Sequence, residues 1–99
     1  MRVKDYRAHP NMIKLVGMRQ LDELESTAEA LPALACPFCG GDPEVQLAIT
    51  YGEYISVYVT CSSCGIRTAR LLEGRTITGN DYSLQDRLLE AVQLWSRRV

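Results

Sequence analysis

The chain has no long apolar run. Its apolar stretches are of the order of Ala33–Cys36, far short of the ~20 residues that a membrane-crossing helix needs. The opening residues, Met1-Arg2-Val3-Lys4-Asp5-Tyr6-Arg7, lack the apolar core of a secretory signal, so a cytoplasmic location is expected. Histidine is almost missing. His9 is the only one, and it has no Cys or Ser beside it, so it reads as a surface residue rather than a ligand or a base. No Gly-x-Gly or Gly-Lys-Ser/Thr spacing occurs, which removes the common phosphate-cradling loops. Asp and Glu are scattered without a spacing suited to paired acid–base work, so no catalytic residue is assigned and enzymatic activity is not expected. The net charge is only -1, and nothing global draws the chain to nucleic acid or to an anionic membrane.

What is present is ordinary globular composition, 46% hydrophobic and 23% charged, which excludes a disordered chain or a fibrous repeat. Ninety-nine residues make one compact unit with a radius of gyration of roughly 13 Å. Such a chain buries only about 60–65% of its unfolded surface, so its apolar core alone is marginal. Against that background the four cysteines stand out. In a reducing compartment clustered cysteines bind metal or do redox work more often than they form structural disulfides.

Residues 1–35 form an N-terminal extension with an amphipathic helix. Leu21, Leu24, Ala28 and Leu31 fall on one helical face, Asp22, Glu23, Glu25 and Glu29 lie mostly away from it, and Pro32 stops the helix. Met12, Ile13, Leu15, Val16 and Met18 form an apolar patch of ambiguous period that suits a short strand or an earlier helical turn. Gly17 argues against one continuous helix.

Residues 36–99 hold the rest. Val45, Leu47, Ile49 and Tyr51 alternate with Gln46, Ala48 and Thr50, and Ile55, Val57, Val59 and Cys61 alternate with Ser56, Tyr58 and Thr60. That is the two-residue period of two half-buried strands joined near Gly52. A two-residue loop would mix polar and apolar groups on both faces. A loop of three or five residues instead gathers Val45, Leu47, Ile49, Ile55, Val57 and Val59 on one face, and because a one-residue slip turns every side chain over, this register is expected. A third strand is expected over Ile66–Leu72, then a turn-rich stretch over Glu73–Asp81 with Gly74, Gly79 and Asn80. The last element is a helix whose stripe is Leu84, Leu88, Ala91, Val92 and Trp95, capped by Ser83 and closed by Arg97 and Arg98. The stripe and Trp95 are expected to pack on the apolar hairpin face, with the N-terminal helix completing that core, or exceeding it and meeting a second copy, as a homodimer, or a partner.

The cysteines come as Cys36-Pro37-Phe38-Cys39-Gly40-Gly41 and Cys61-Ser62-Ser63-Cys64-Gly65, with 21 residues, Gly40 to Thr60, between the pairs. Zinc takes four ligands at tetrahedral corners with Zn–S bonds of about 2.3 Å. A Cys-x-x-Cys turn supplies two of them, the following glycine relieves the turn, and the hairpin brings its open end, with both turns, together. Cys36, Cys39, Cys61 and Cys64 are therefore expected to hold one structural zinc ion. With four sulfurs bound the ion has no position for water and no hydrolytic chemistry. A thioredoxin-like reading of Cys36-Pro37-Phe38-Cys39 would need a βαβ frame, and a hairpin follows instead. The fold class is thus α+β: a small zinc ribbon, made of a hairpin, a third strand and a four-cysteine site, with a C-terminal helix and an N-terminal helical extension.

Charge decides against phosphate. Residues 36–65 contain Asp42, Glu44 and Glu53 and no Lys or Arg, a balance of -3, and four thiolates around one divalent ion add a further -2 by simple charge addition. Nucleic-acid binding relies on clustered Lys and Arg. Those available are Arg67, Arg70, Arg75, Arg87, Arg97 and Arg98, opposed by Glu73, Asp81, Asp86 and Glu90. Tyr54 and Tyr58 read as outward strand residues, with rings able to stack bases but more commonly covering the sheet.

Residues 36–98 resemble the restriction alleviation protein Lar family of small phage and prophage zinc-ribbon proteins. The resemblance rests on Cys36-Pro37-Phe38-Cys39-Gly40-Gly41, on Val59-Thr60-Cys61-Ser62-Ser63-Cys64-Gly65 and on Ala91-Val92-Gln93-Leu94-Trp95-Ser96-Arg97-Arg98. Family members usually carry Asn where this chain has Ser96, and the first 30 or so residues match nothing in the pattern. The resemblance implies a non-catalytic accessory protein in the host cytoplasm that protects incoming DNA by modulating a host type I restriction–modification enzyme through protein–protein contact. The alternatives are a small nucleic-acid-binding ribbon used in phage transcription or replication, and a redox or metal-buffering protein.

Overall fold

The computed structural model describes residues 1–32, 34–50, 54–68, 71–73 and 84–97, with the backbone alone at 50 and 71–73. Its elements in chain order are β1 (Arg2–Val3), α1 (Pro10–Val16), α2 (Met18–Glu29), β2 (Pro43–Thr50), β3 (Tyr54–Cys61), β4 (Leu71–Glu73) and α3 (Leu84–Ser96). The strands form one sheet in the order β1-β2-β3-β4. The fold is α+β, as the alternating and helical periods require.

The hairpin takes the odd register. Val45 faces Val59, Leu47 faces Val57, Ile49 faces Ile55 and Thr50 faces Tyr54, which leaves three residues, 51–53, as the connection. Those residues, including Gly52, lie outside the described set, but the pairing alone fixes the parity. It puts Val45, Leu47 and Ile49 opposite Val59, Val57 and Ile55 on one face, the outcome that one-residue slippage would destroy. Val45, Leu47, Ile55, Val57 and Val59 are buried, whereas Ile49 at the far end remains partly exposed.

The helices cover that face. Leu84, Leu88, Ala91, Val92 and Trp95 of α3 are all buried, and α3 packs on β3 and β4. Leu21, Leu24 and Ala28 of α2 are buried in the same core. The N-terminal helix thus covers its apolar stripe within this chain. The ambiguous patch around Met12 resolves as helix α1, and Gly17, at φ 92, separates α1 from α2.

The first residues join the sheet. Arg2 and Val3 pair in parallel with Glu44 and Val45, and Lys4 N–H donates to the Val45 carbonyl at 2.9 Å. Beyond that point the Tyr6 hydroxyl takes over: it accepts from Leu47 N–H at 2.6 Å and donates to the Leu47 carbonyl at 2.9 Å. One side chain thus satisfies both backbone groups of a rung that would otherwise stand open at the sheet edge. The Met1 amino group donates to the carbonyls of Ala28 at 2.6 Å and Leu31 at 2.8 Å, where the end of α2 carries partial negative charge. Arg7 pairs with Asp22 at 3.1 Å and Glu25 at 3.0 Å, tying the same segment to α2.

Two expectations need correction. The third strand does not run evenly over Ile66–Leu72: the pairing consists of a Thr60–Arg67 bridge and a separate β4 at Leu71–Glu73. From the bridge to the Val57–Leu71 pair the chain takes four residue steps against three on β3, so the two pieces differ in register by one residue. Tyr58 is not an outward residue open for stacking. It is 8% exposed, its hydroxyl donates to Gln46 Oε1 at 3.0 Å, and the Arg67 guanidinium lies 5.8 Å from the ring centroid. Strand β3 is central, with neighbours on both sides, and Ser56 and Thr60 on its second face are buried too. Ser83, Arg70, Arg75, Arg98 and the turn-rich stretch at 74–81 lie outside the described residues.

Candidate metal centre

The two cysteine pairs sit on turns of the same construction. In the first, Gly40 N–H donates to the Cys36 carbonyl at 2.9 Å, and Cys36 N–H donates to the Gly41 carbonyl at 2.9 Å. In the second, Gly65 N–H donates to the Cys61 carbonyl at 3.1 Å, and Cys61 N–H donates to the Ile66 carbonyl at 2.8 Å. Gly40 and Gly65 occupy the same place in each turn with φ 76 and 79, a conformation that costs a residue with a side chain roughly 1–2 kcal/mol.

The hairpin register delivers one turn to the other. Pro43 pairs with Cys61, and Ser62 donates to the Asp42 carbonyl twice, from its N–H at 3.1 Å and from its hydroxyl at 3.0 Å. Gly41 stands close against the second turn. A Cβ there would lie 2.7 Å from Ser63 Oγ and 2.9 Å from Cys61 Sγ. The segment leading to Cys36 is fixed from the other side, because the Trp95 indole N–H donates to the Leu34 carbonyl at 2.8 Å.

The result is a cluster in which the sulfurs of Cys36, Cys39, Cys61 and Cys64 all lie within 4.8 Å of one another. A tetrahedron with bonds of about 2.3 Å has edges of about 3.8 Å. The Cys36–Cys64 sulfurs are 3.7 Å apart and the Cys39–Cys61 sulfurs 3.3 Å apart, so only small shifts separate this arrangement from a four-sulfur coordination shell. Four thiolates at this spacing fit one soft metal ion.

Hydrogen bonding distinguishes the sulfurs. Cys61 Sγ accepts from the N–H groups of Cys64 and Ser63, each at 3.4 Å. The Cys64 amide is the chief cause of a Cys61 thiol pulled down to about 6, with burial opposing it. At Cys36 burial pushes upward, but the amides of Phe38 and Cys39 bring the thiol below its ordinary value. Cys39 moves the other way, up to about 12: the Gly41 amide favours its thiolate, and the facing sulfurs of Cys61 and Cys64 outweigh that. The amide hydrogen bonds thus favour the thiolate at the two buried sulfurs, Cys36 and Cys61, and a cation draws the Cys39 proton off as it binds.

All four cysteines expected from spacing are brought together. His9 is not part of the cluster; it is exposed at the start of α1, its ring 5.5 Å from that of Tyr6. Of the candidate arginines, Arg67, Arg87 and Arg97 fall among the described residues. Arg87 pairs with Glu90 at 2.7 Å on α3, Arg67 lies over Tyr58, and Arg97 is exposed beyond the end of α3. Spacing alone missed Gly41 and the anchoring role of Trp95. A signal for the second was present, since a buried indole N–H needs an acceptor. Among the described residues no helix is long and apolar enough to cross a membrane. Comparison of the chain with protein-family models, curated proteins and solved structures gives no match.

Proposed function

We propose that this chain is a non-catalytic zinc-ribbon protein that acts by docking on another protein, with Cys36, Cys39, Cys61 and Cys64 holding one structural zinc ion. The observation that carries this reading is the convergence of four cysteine sulfurs within 4.8 Å on two turns with matching hydrogen bonds. Zinc is the ion that four-thiolate turns of this kind commonly take, and a complete sulfur shell leaves no site for a reacting water. Its role is then to hold the turns, and function passes to the surface they support.

A protein partner is favoured over a phosphate backbone. Arg2, Arg7, Arg19 and Arg87 each face a carboxylate, and the residues around the ion carry negative charge. The resemblance of residues 36–98 to restriction alleviation proteins points to a type I restriction–modification enzyme of a host cytoplasm as that partner. Elemental analysis of the purified chain tests the first part, with about one zinc per chain expected. Affinity capture from a restricting host tests the second: recovery of a restriction-enzyme subunit supports it. Unchanged plating of unmodified phage on that host, with the protein present, overturns restriction alleviation. DNA binding at low salt that collapses as salt is added would favour the nucleic-acid alternative.

A further inference from the structure

The four sulfurs differ in access and in pairing. Cys36 and Cys61 are 4% and 2% exposed, whereas Cys39 and Cys64 are open to solvent. Two direct sulfur–sulfur contacts run between the turns, Cys39 to Cys61 at 3.3 Å and Cys36 to Cys64 at 3.7 Å. Each contact joins one exposed sulfur to one buried sulfur. An accessible thiolate beside a protected one is the arrangement in which oxidation by a peroxide ends in a disulfide instead of running on to higher oxides.

We propose that the cluster is an oxidation site for peroxides, at which attack on Cys39 and Cys64 yields two cross-turn disulfides, Cys39–Cys61 and Cys36–Cys64, and expels the ion while the chain stays folded. This rests on the reading of the cluster as a zinc site. In each half-reaction the exposed thiolate attacks one oxygen of hydrogen peroxide, the O–O bond breaks, and a sulfenic acid and hydroxide form. The buried thiolate of the facing turn then attacks the sulfenic sulfur, the S–O bond breaks, a second hydroxide leaves, and the S–S bond forms. Four thiolates, two peroxide molecules and four protons thus give two disulfides and four waters, and the zinc ion departs unchanged in oxidation state.

The register explains why the bonds would cross between turns. Pairing of Pro43 with Cys61 and the two hydrogen bonds from Ser62 to the Asp42 carbonyl hold the facing sulfurs together independently of any ion. Cross-turn bonds impose the same constraint that a tetrathiolate ion imposes. Bonds within each turn would add no link between the turns beyond those backbone and Ser62 contacts.

The test uses the full chain, with its zinc content measured first. Hydrogen peroxide is added at two equivalents per chain, ion release is followed with a chromogenic chelator, and the disulfides are mapped under non-reducing conditions. Cleavage after Phe38 separates Cys36 from Cys39, and fragmentation locates the bonds at Cys61 and Cys64. The expected result is a monomer with Cys39–Cys61 and Cys36–Cys64 bonds, the ion released in step with them, circular dichroism and a cooperative melt retained, and zinc binding restored by a thiol reductant. Bonds within either turn, the pairing Cys36–Cys61 with Cys39–Cys64, intermolecular crosslinks or sulfinic and sulfonic acids would each overturn the proposal. A chain purified without zinc would sink the zinc reading instead, and its mapped bonds would still decide the pairing.

Discussion

In the helix–sheet body Leu24, Ile55, Val57, Val59, Leu88 and Ala91 are 1% exposed or less, whereas at the cysteine tip Phe38, Cys39, Gly40 and residues 62–65 all stand in water. The body is held by apolar burial, drawn from α2, α3 and the hairpin face into one cluster. The tip has almost no apolar mass of its own. Backbone hydrogen bonds shape its two turns, and only the four sulfurs point to a common centre. The two regions meet at a few residues: Cys36 and Cys61 are buried with the core, and the Trp95 indole holds the Leu34 carbonyl. A small chain can therefore keep its surface polar at one end and still be folded there, provided an ion supplies what burial cannot.

On the zinc reading, the sharpest way to break this contrast is to remove the ion. Structural zinc contributes roughly 10–16 kcal/mol in small zinc domains, while a whole domain is stable by about 5–15 kcal/mol. Stripping zinc from the reduced chain, or changing Cys61→Ser, is expected to abolish the cooperative thermal transition and stoichiometric zinc binding together. A cooperative melt surviving in Cys61→Ser would show that the body folds without the tip. The peroxide-treated chain, with cross-turn bonds in place of the ion, is expected to keep its melt.

The next largest effect lies in the body. Trp95→Ala removes a side chain only 2% exposed and orphans the Leu34 carbonyl. A large core truncation of this kind costs about 3–5 kcal/mol, readable as a lower melting temperature with zinc content unchanged. Trp95→Phe keeps most of the volume and loses the hydrogen bond, so about 1 kcal/mol is expected. An unchanged melt in Trp95→Ala would refute the link from α3 to the turn.

What the sequence made legible follows from how periodic each feature is. The α3 stripe and the hairpin faces span many residues, so their periods fixed both element and register. The cysteine spacing named all four sulfurs of the cluster. Strand β1 was invisible because two residues, Arg2 and Val3, have no period, and their pairing depends on Glu44 and Val45 more than 40 positions away. The split of the last strand pairing into a bridge at Arg67 and β4 at Leu71 had no apolar alternation to announce it. The burial of Tyr58 escapes the pattern for a related reason: alternation tells which face a residue takes, but not that the central strand is covered on both. Gly41 is the clearest loss. Its neighbour Gly40 follows from turn chemistry, whereas Gly41 matters only because a second turn stands against it.

Gly41→Ala probes that contact without touching a ligand. The new Cβ would press on Cys61 Sγ and Ser63 Oγ, and overpacking of this size costs about 2 kcal/mol. Ser63 Oγ can rotate away, but Ser63 Cβ, also 2.9 Å off, cannot, and neither could Cys61 Sγ once it holds an ion. The expected signature is zinc lost to a competing chelator at lower chelator concentration, with a smaller fall in melting temperature than Trp95→Ala gives. Zinc retention equal to wild type would mean that the turns have room to part.

The smallest effect returns to the body, at the sheet edge that Tyr6 closes. Tyr6→Phe removes both hydrogen bonds to Leu47, but this rung lies at an edge, so a loss of about 1 kcal/mol is expected at neutral pH. The hydroxyl also gives a pH test that the tip does not share. Burial is the main cause that pushes the Tyr6 phenol up to about 12 from 10.0, with the hydrogen bond to Leu47 opposing it. The folded chain therefore holds this proton more tightly than the unfolded chain does. The stability it contributes is fully present below pH 10 and is lost as the pH rises towards 12. Across that interval the advantage of wild type over Tyr6→Phe in denaturant melts should shrink and then reverse, because the variant has no proton there to lose. Curves that stay parallel to pH 12 would mean that the phenol is solvated, and that the edge of β2 is closed by β1 alone.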